Sequence, residues 1–165
     1  MSMAGAAELG LALQARGWRV ATAESCTGGL VAGAITDIAG SSAWFDRGFV
    51  TYSNAAKIEM LGVLAETLAF HGAVSEPTAR QMAAGALARS SADLAVAVTG
   101  VAGPSGGTPD KPVGMVCLAW ATRDGGVDSA THHFDGSRAE IRRKTVIAAL
   151  GGLLDRASAG ANGAP

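Results

Sequence analysis

The stretch Ala23-Glu24-Ser25-Cys26-Thr27-Gly28-Gly29-Leu30 places two hydroxyls, a thiol and a carboxylate beside paired glycines, between two apolar runs. A strand that ends and a helix that begins within a few residues leave backbone N–H groups without intrahelical partners. Those donors and the helix dipole suit a developing negative charge. Gly28 and Gly29 allow close approach to the backbone. A serine at that corner follows the logic of a nucleophile elbow without the GxSxG pattern. Ser25 or Thr27 can equally be an ordinary helix N-cap. Cys26 can be a nucleophile or a small buried filler.

A serine nucleophile needs a base. The histidines are His71, His132 and His133. The last two are neighbours on an expected strand and point to opposite faces. With no HxH or HExxH spacing and two distant cysteines, Cys26 and Cys117, neither a metal site nor a disulfide framework is expected. A lysine made neutral by burial is the alternative base. Of the three lysines, Lys57, Lys111 and Lys144, Lys57 follows Tyr52-Ser53-Asn54 and opens a helix after a strand, at the end of the sheet that Ser25 should occupy. A solvated helix lysine is the competing reading. Tyr52, the only tyrosine, can donate a proton in a crevice or simply close a strand.

Thr99 ends a continuous apolar run, and Gly100, Gly103, Gly106 and Gly107 follow it. That glycine density suits backbone amides folded around an anion, although the GKS/GKT ending of a P-loop is missing. Lys111 in this loop can close over a phosphate or lie exposed. Arg138 and Arg142 are spaced i, i+4 on a helix, where they stand in solvent or clamp an anion.

These groups need a scaffold. A 165-residue chain with 48% hydrophobic and 16% charged residues is long and apolar enough for one folded domain, expected over 1–158 with a tail at 159–165. A net charge of −1 with no basic block argues against a nucleic-acid surface. The N-terminus lacks a basic leader and its apolar spacing is helical, so a soluble cytoplasmic protein without a membrane span is expected. The patterns predict a helix over 3–16, a strand over 18–23 and a helix over 28–39. A strand over 49–53, a helix capped by Asn54 and a short helix over 64–70 come next. A helix capped by Ser75 then runs through RQMAAGALARSS, followed by a buried strand over 93–99. A hairpin of 113–122 and 127–134 precedes a last helix over 137–155. Helices between early strands and a late hairpin give a three-layer α/β/α sandwich, its mixed, mostly parallel sheet holding about five or six strands. Loops after parallel strands gather at one sheet end, where ligands bind.

Taken together, AESCTGGLVAG, GSSAWFDRGFVTYSNAAKIEMLGV, GAVSEPTARQMAAGA and DLAVAVTGVAGPSGGTPDKPVGMV resemble the CinA C-terminal domain family from about Ala6 to Asp155. Its enzymatic members are nicotinamide-mononucleotide (NMN) amidohydrolases. The resemblance implies an α/β/α domain that hydrolyses the carboxamide of NMN to nicotinate mononucleotide and ammonia, a step of pyridine nucleotide recycling, with no cofactor. It implies a serine–lysine amidase: Ser25 matches the serine of ESCTGG, Tyr52 and Lys57 the TYSNxxK motif, Thr99 the TGxAGP motif, and Arg138 and Arg142 the RxxxR of the last helix. Candidate substrate contacts are Glu24, Thr27, Gly28, Gly29, Gly100, Ala102, Gly103, Arg138 and Arg142. Met115 departs from the family, where a small hydroxyl residue is common after KPVG. The pyrophosphatase-like domain that precedes this one in many relatives lies outside the resemblance, and its activity is not expected here. The alternatives are a catalytically silent nucleotide-binding module and an amidase for another carboxamide. The apolar first helix and the Ala-rich helix over 78–90 could each form a symmetric interface, so a homodimer is expected.

Overall fold

The computed structural model describes residues 4–159. Most of the expected 159–165 tail, and Met3 of the first expected helix, lie outside those residues. Along the chain run α1 (Ala4–Arg16), β1 (Val20–Glu24), α2 (Leu30–Thr36), a 3-10 turn (Ser41–Ala43), β2 (Phe45–Val50), α3 (Asn54–Leu61), α4 (Ala65–His71), α5 (Glu76–Ala88), β3 (Leu94–Gly100), β4 (Met115–Thr122), β5 (Gly126–His133) and α6 (Arg138–Ser158). Among the described residues, no helix is long and apolar enough to cross a membrane.

The five strands form one sheet in the order β2-β1-β3-β4-β5. β1 pairs in parallel with β2 and β3, while β3–β4 and β4–β5 are antiparallel. Four strands therefore point one way and β4 alone runs against them. The chain is an α/β domain with a mixed sheet between two helical layers.

The layers differ because the strands alternate in side-chain size. Leu94, Val96 and Val98 of β3 join Val116, Leu118 and Trp120 of β4 under α1, α2 and α6. Ala95 and Ala97 of β3 join Ala119 and Ala121 of β4 and Ala21 and Ala23 of β1 under α5. Successive residues of a strand face opposite sides, so one heptapeptide, LAVAVTG, supplies large groups to one layer and methyl groups to the other. The alanine paving lets α5 lie close to the sheet. It also draws in the element that carries Lys57: a Cβ at Gly85 of α5 would lie 2.0 Å from the Leu61 carbonyl oxygen, so glycine there seats the end of α3 on α5.

Three expectations shift in register. The strand expected over 49–53 is β2, Phe45–Val50. Its FDRGFV sequence is half exposed at the sheet edge and carries no apolar run. Ser53, not Asn54, caps α3, accepting the Ala56 amide at 3.0 Å. The helix expected over 28–39 shortens to 30–36, because Gly28 and Gly29 adopt φ of 58° and 109° and form a turn before it. Ser75 caps α5 with Pro77 in its first turn, as the pattern predicts.

Candidate active site

The turn after β1, the segment after β2 and the loop after β3 meet at one end of the sheet. They enclose a cavity of about 190 Å³ lined by Ser25, Cys26, Tyr52, Lys57, Thr99, Gly100, Ala102 and Arg138, with Ala73 and Val74 between α4 and α5 as a further wall.

Lys57 projects from the buried face of α3 and is 1% exposed. Its Nζ lies 3.0 Å from Ser25 Oγ, 2.8 Å from the Thr51 carbonyl oxygen and 3.1 Å from that of Tyr52. Among the described residues no carboxylate pairs with it. Burial without a counter-ion disfavours the ammonium, so the pKa of Lys57 falls below the ordinary lysine value; the only opposing influence is Cys26. As an ammonium, Lys57 donates to Ser25 Oγ and to the carbonyls of residues 51 and 52; once neutral, it can keep the two carbonyl bonds and turn its lone pair to Ser25. Ser25 Oγ also lies 3.4 Å from the Tyr52 carbonyl, which accepts its proton when the lysine is charged.

Cys26 sits beside Ser25 but in different surroundings. It is buried, and desolvation pushes its thiol up to about 11. Thr99 is 1% exposed, and its hydroxyl donates to the Ala73 carbonyl at 2.9 Å, tying the end of β3 to the far wall. Tyr52 borders the cavity but is 63% exposed, and the lysine and serine contact its backbone carbonyl. Lys111 donates to the His71 carbonyl at the end of α4, strapping the glycine-rich loop to that helix.

Several candidate substrate contacts are turned to other work. Glu24 is 1% exposed, and its carboxylate accepts the Thr27 hydroxyl at 2.6 Å and the Val31 and Ala32 amides at 2.8 and 3.0 Å. It caps the start of α2, where a negative charge is favoured, and holds Thr27 inward. No local cap pattern reveals this, because Glu24 lies seven and eight residues before the amides it holds and an N-cap reaches only two or three. Gly28 and Gly29 shape the turn and do not line the cavity. Of the expected arginine clamp, Arg138 borders the cavity and donates to the Gly103 carbonyl at 2.8 Å. Arg142 instead donates to the Cys26 and Thr27 carbonyls and lines a separate groove between α2 and α6.

A serine and a buried lysine in contact at the strand ends of an α/β domain are the residue types that serine–lysine acyl transfer requires. The model of the CinA C-terminal domain family matches residues 3–157, and the chain belongs to that family. It is 58% identical over 143 residues to nicotinamide-nucleotide amidohydrolase PncC of Escherichia coli K12, and 57% identical over the same length to the protein of that name from Enterobacter agglomerans. In both cases 87% of each chain is covered. A CinA-like protein of Mycolicibacterium gilvum is 55% identical over 144 residues, which make up 34% of that longer protein. The crystal structure of the competence/damage inducible protein CihA from Agrobacterium tumefaciens superposes with a TM-score of 0.90 at 56% identity, over 92% of this chain and 93% of that one.

Proposed function

We propose that this protein is a nicotinamide-nucleotide amidohydrolase that converts NMN to nicotinate mononucleotide and ammonia, with Ser25 as nucleophile and Lys57 as its base. The observation that carries the mechanism is the 3.0 Å contact between Ser25 Oγ and a buried Lys57 amine whose other partners are carbonyls. The relatives' names carry the substrate class.

Neutral Lys57 takes the Ser25 proton as Oγ bonds to the carboxamide carbon. The carbonyl π electrons move onto oxygen, where backbone amides of the turn after Ser25 receive the charge. Among the described residues, the Cys26, Thr27 and Gly29 amides of this turn have no backbone acceptor, and the first two, next to Ser25 in the chain, are the candidate donors. One such donor is worth roughly 3 kcal/mol of barrier. The tetrahedral intermediate collapses as the C–N bond breaks, and the Lys57 ammonium returns the proton to the departing nitrogen, giving ammonia and a Ser25 ester. Water then attacks the ester with Lys57 again as base, and Ser25 leaves as the alcohol. Tyr52 orients the amine through its main chain. A cavity of about 190 Å³ admits the reacting end of the substrate; sites that enclose a whole drug-sized ligand hold ~300–1,000 Å³. The ribose phosphate therefore extends over the rim, where Arg138 is the nearest cation of the lining.

The test is ammonia release from NMN by the purified protein and by folded Ser25→Ala and Lys57→Ala variants, with and without chelator. Release by the wild type alone, insensitive to chelator, is expected. Near-wild-type turnover by either variant removes that residue from the mechanism, and NMN binding without ammonia makes the chain a nucleotide-binding module.

A further inference from the structure

Arg138 and Arg142 stand one turn apart on α6 yet grip different things. Arg142 is half-buried; its Nε donates to the Cys26 carbonyl at 3.1 Å and its Nη2 to the Thr27 carbonyl at 3.3 Å. Both carbonyls belong to the turn that begins at Ser25, which closes where the Gly28 amide donates to the Ser25 carbonyl at 3.0 Å. Thr27 is held from the other side by Glu24, through its hydroxyl. A buried carboxylate and a guanidinium from a helix more than a hundred residues away thus meet on one residue, two places from the nucleophile.

We infer that Arg142 is a positioning residue that braces the nucleophile turn, and that substrate-anion binding falls to Arg138. The inference rests on the proposed Ser25 chemistry. The fork of a guanidinium reaches two adjacent carbonyls at once, which an ammonium does not. A cation on the Cys26 carbonyl also polarises the peptide it shares with the Thr27 N–H and makes that N–H a better donor to an oxyanion. Only Arg138 lines the Ser25 cavity, so the two arginines must differ in which kinetic constant they govern.

The experiment compares Arg142→Gln, Arg142→Lys and Arg138→Gln proteins in steady-state ammonia release from NMN and in amide hydrogen exchange at Gly28, with β3 amides as the folding control. Misplacing a nucleophile by a fraction of an ångström costs on the order of 10–100-fold, so Arg142→Gln is expected to lower kcat by that factor with KM within about twofold. Gly28 exchange should quicken about tenfold in the same protein, and Arg142→Lys should recover part of both losses. Arg138→Gln should raise KM, keep kcat and leave Gly28 exchange unchanged. A rise in KM alone for Arg142→Gln, or wild-type Gly28 exchange, overturns the brace. If the wild type releases no ammonia from NMN, it is the substrate reading that fails. The brace is then judged on Gly28 exchange and on the rate at which a fluorophosphonate modifies Ser25, which Arg142→Gln should slow and Arg138→Gln should not; equal rates overturn it.

Discussion

β1 and β3 lie side by side, run in the same direction and bring a hydroxyl to the same cavity, yet the two hydroxyls meet different partners. Ser25, just beyond β1, faces the Lys57 amine at 3.0 Å; Thr99, the penultimate residue of β3, donates to the Ala73 carbonyl at 2.9 Å. Strand-end placement therefore does not make a nucleophile. The crossing segment decides: α3 carries a buried amine over β1, while the link between α4 and α5 offers β3 only a carbonyl. In the proposed chemistry one hydroxyl loses its proton, while the other is committed as a donor that fixes a wall.

The largest effect expected is at Ser25. Ser25→Ala should lower ammonia release on the order of 10⁴–10⁶-fold, as removal of a covalent nucleophile does. Lys57→Arg should follow at about 10³-fold or more, because a guanidinium fills much of the space but does not deprotonate. If Lys57→Arg keeps a tenth of the activity, the amine is not the base, and the contrast between the two strand ends loses its chemical meaning.

The pH profile sharpens the same contrast. Burial lowers the pKa of Lys57, so the neutral base accumulates at a lower pH than for a free lysine, and activity is lost as pH falls through the folded value. On that acid limb kcat/KM should fall about tenfold per pH unit. The folded chain binds this proton more weakly than the unfolded chain, so the stability linked to Lys57 rises with pH until the free lysine would itself be neutral. A rate profile flat down to the range of ordinary carboxylates would assign the base to another group.

At β3 the expected losses are smaller and of another kind. Thr99→Val removes the donor to Ala73 and leaves a part-buried carbonyl without it, at a cost of about 1 kcal/mol of stability. As the wall loosens, kcat/KM should fall about tenfold, while Thr99→Ser keeps the bond and most of the activity. Paired thermal melts and kinetics separate the two effects. A loss at Thr99→Val as large as that of Ser25→Ala would place the Thr99 hydroxyl in the chemistry.

How much of this was legible depended on whether a signal was local. The buried β3 run, the Ser75 cap and the α/β alternation rest on neighbouring residues, and all three are present in the fold. The pairing of Ser25 with Lys57 could be anticipated because both follow strands that enter one sheet end. β2 was displaced because Asp46, Arg47 and Gly48 interrupt the apolar pattern of an edge strand. The inward turn of Glu24 and the diversion of Arg142 to the Cys26 and Thr27 carbonyls were hidden, since each depends on a contact between segments that no spacing encodes. The i, i+4 arginine spacing is real, but α6 passes two different features one turn apart.

The smallest effect expected is at Cys26, one residue from the proposed nucleophile. Cys26 borders the cavity, yet burial holds its thiol near 11, so at neutral pH it is almost wholly protonated and a poor nucleophile. Lys57 cannot serve both groups: its third position is directed at Ser25 Oγ, and its other two bonds go to backbone carbonyls. Cys26→Ala should therefore keep ammonia release within about twofold and cost about 1 kcal/mol of stability for the lost packing. Iodoacetamide should leave wild-type activity intact over the time in which a fluorophosphonate abolishes it. A folded Cys26→Ala protein with less than a tenth of the activity would move the nucleophile by one residue, and the distinction between the two strand ends would have to be redrawn around the thiol.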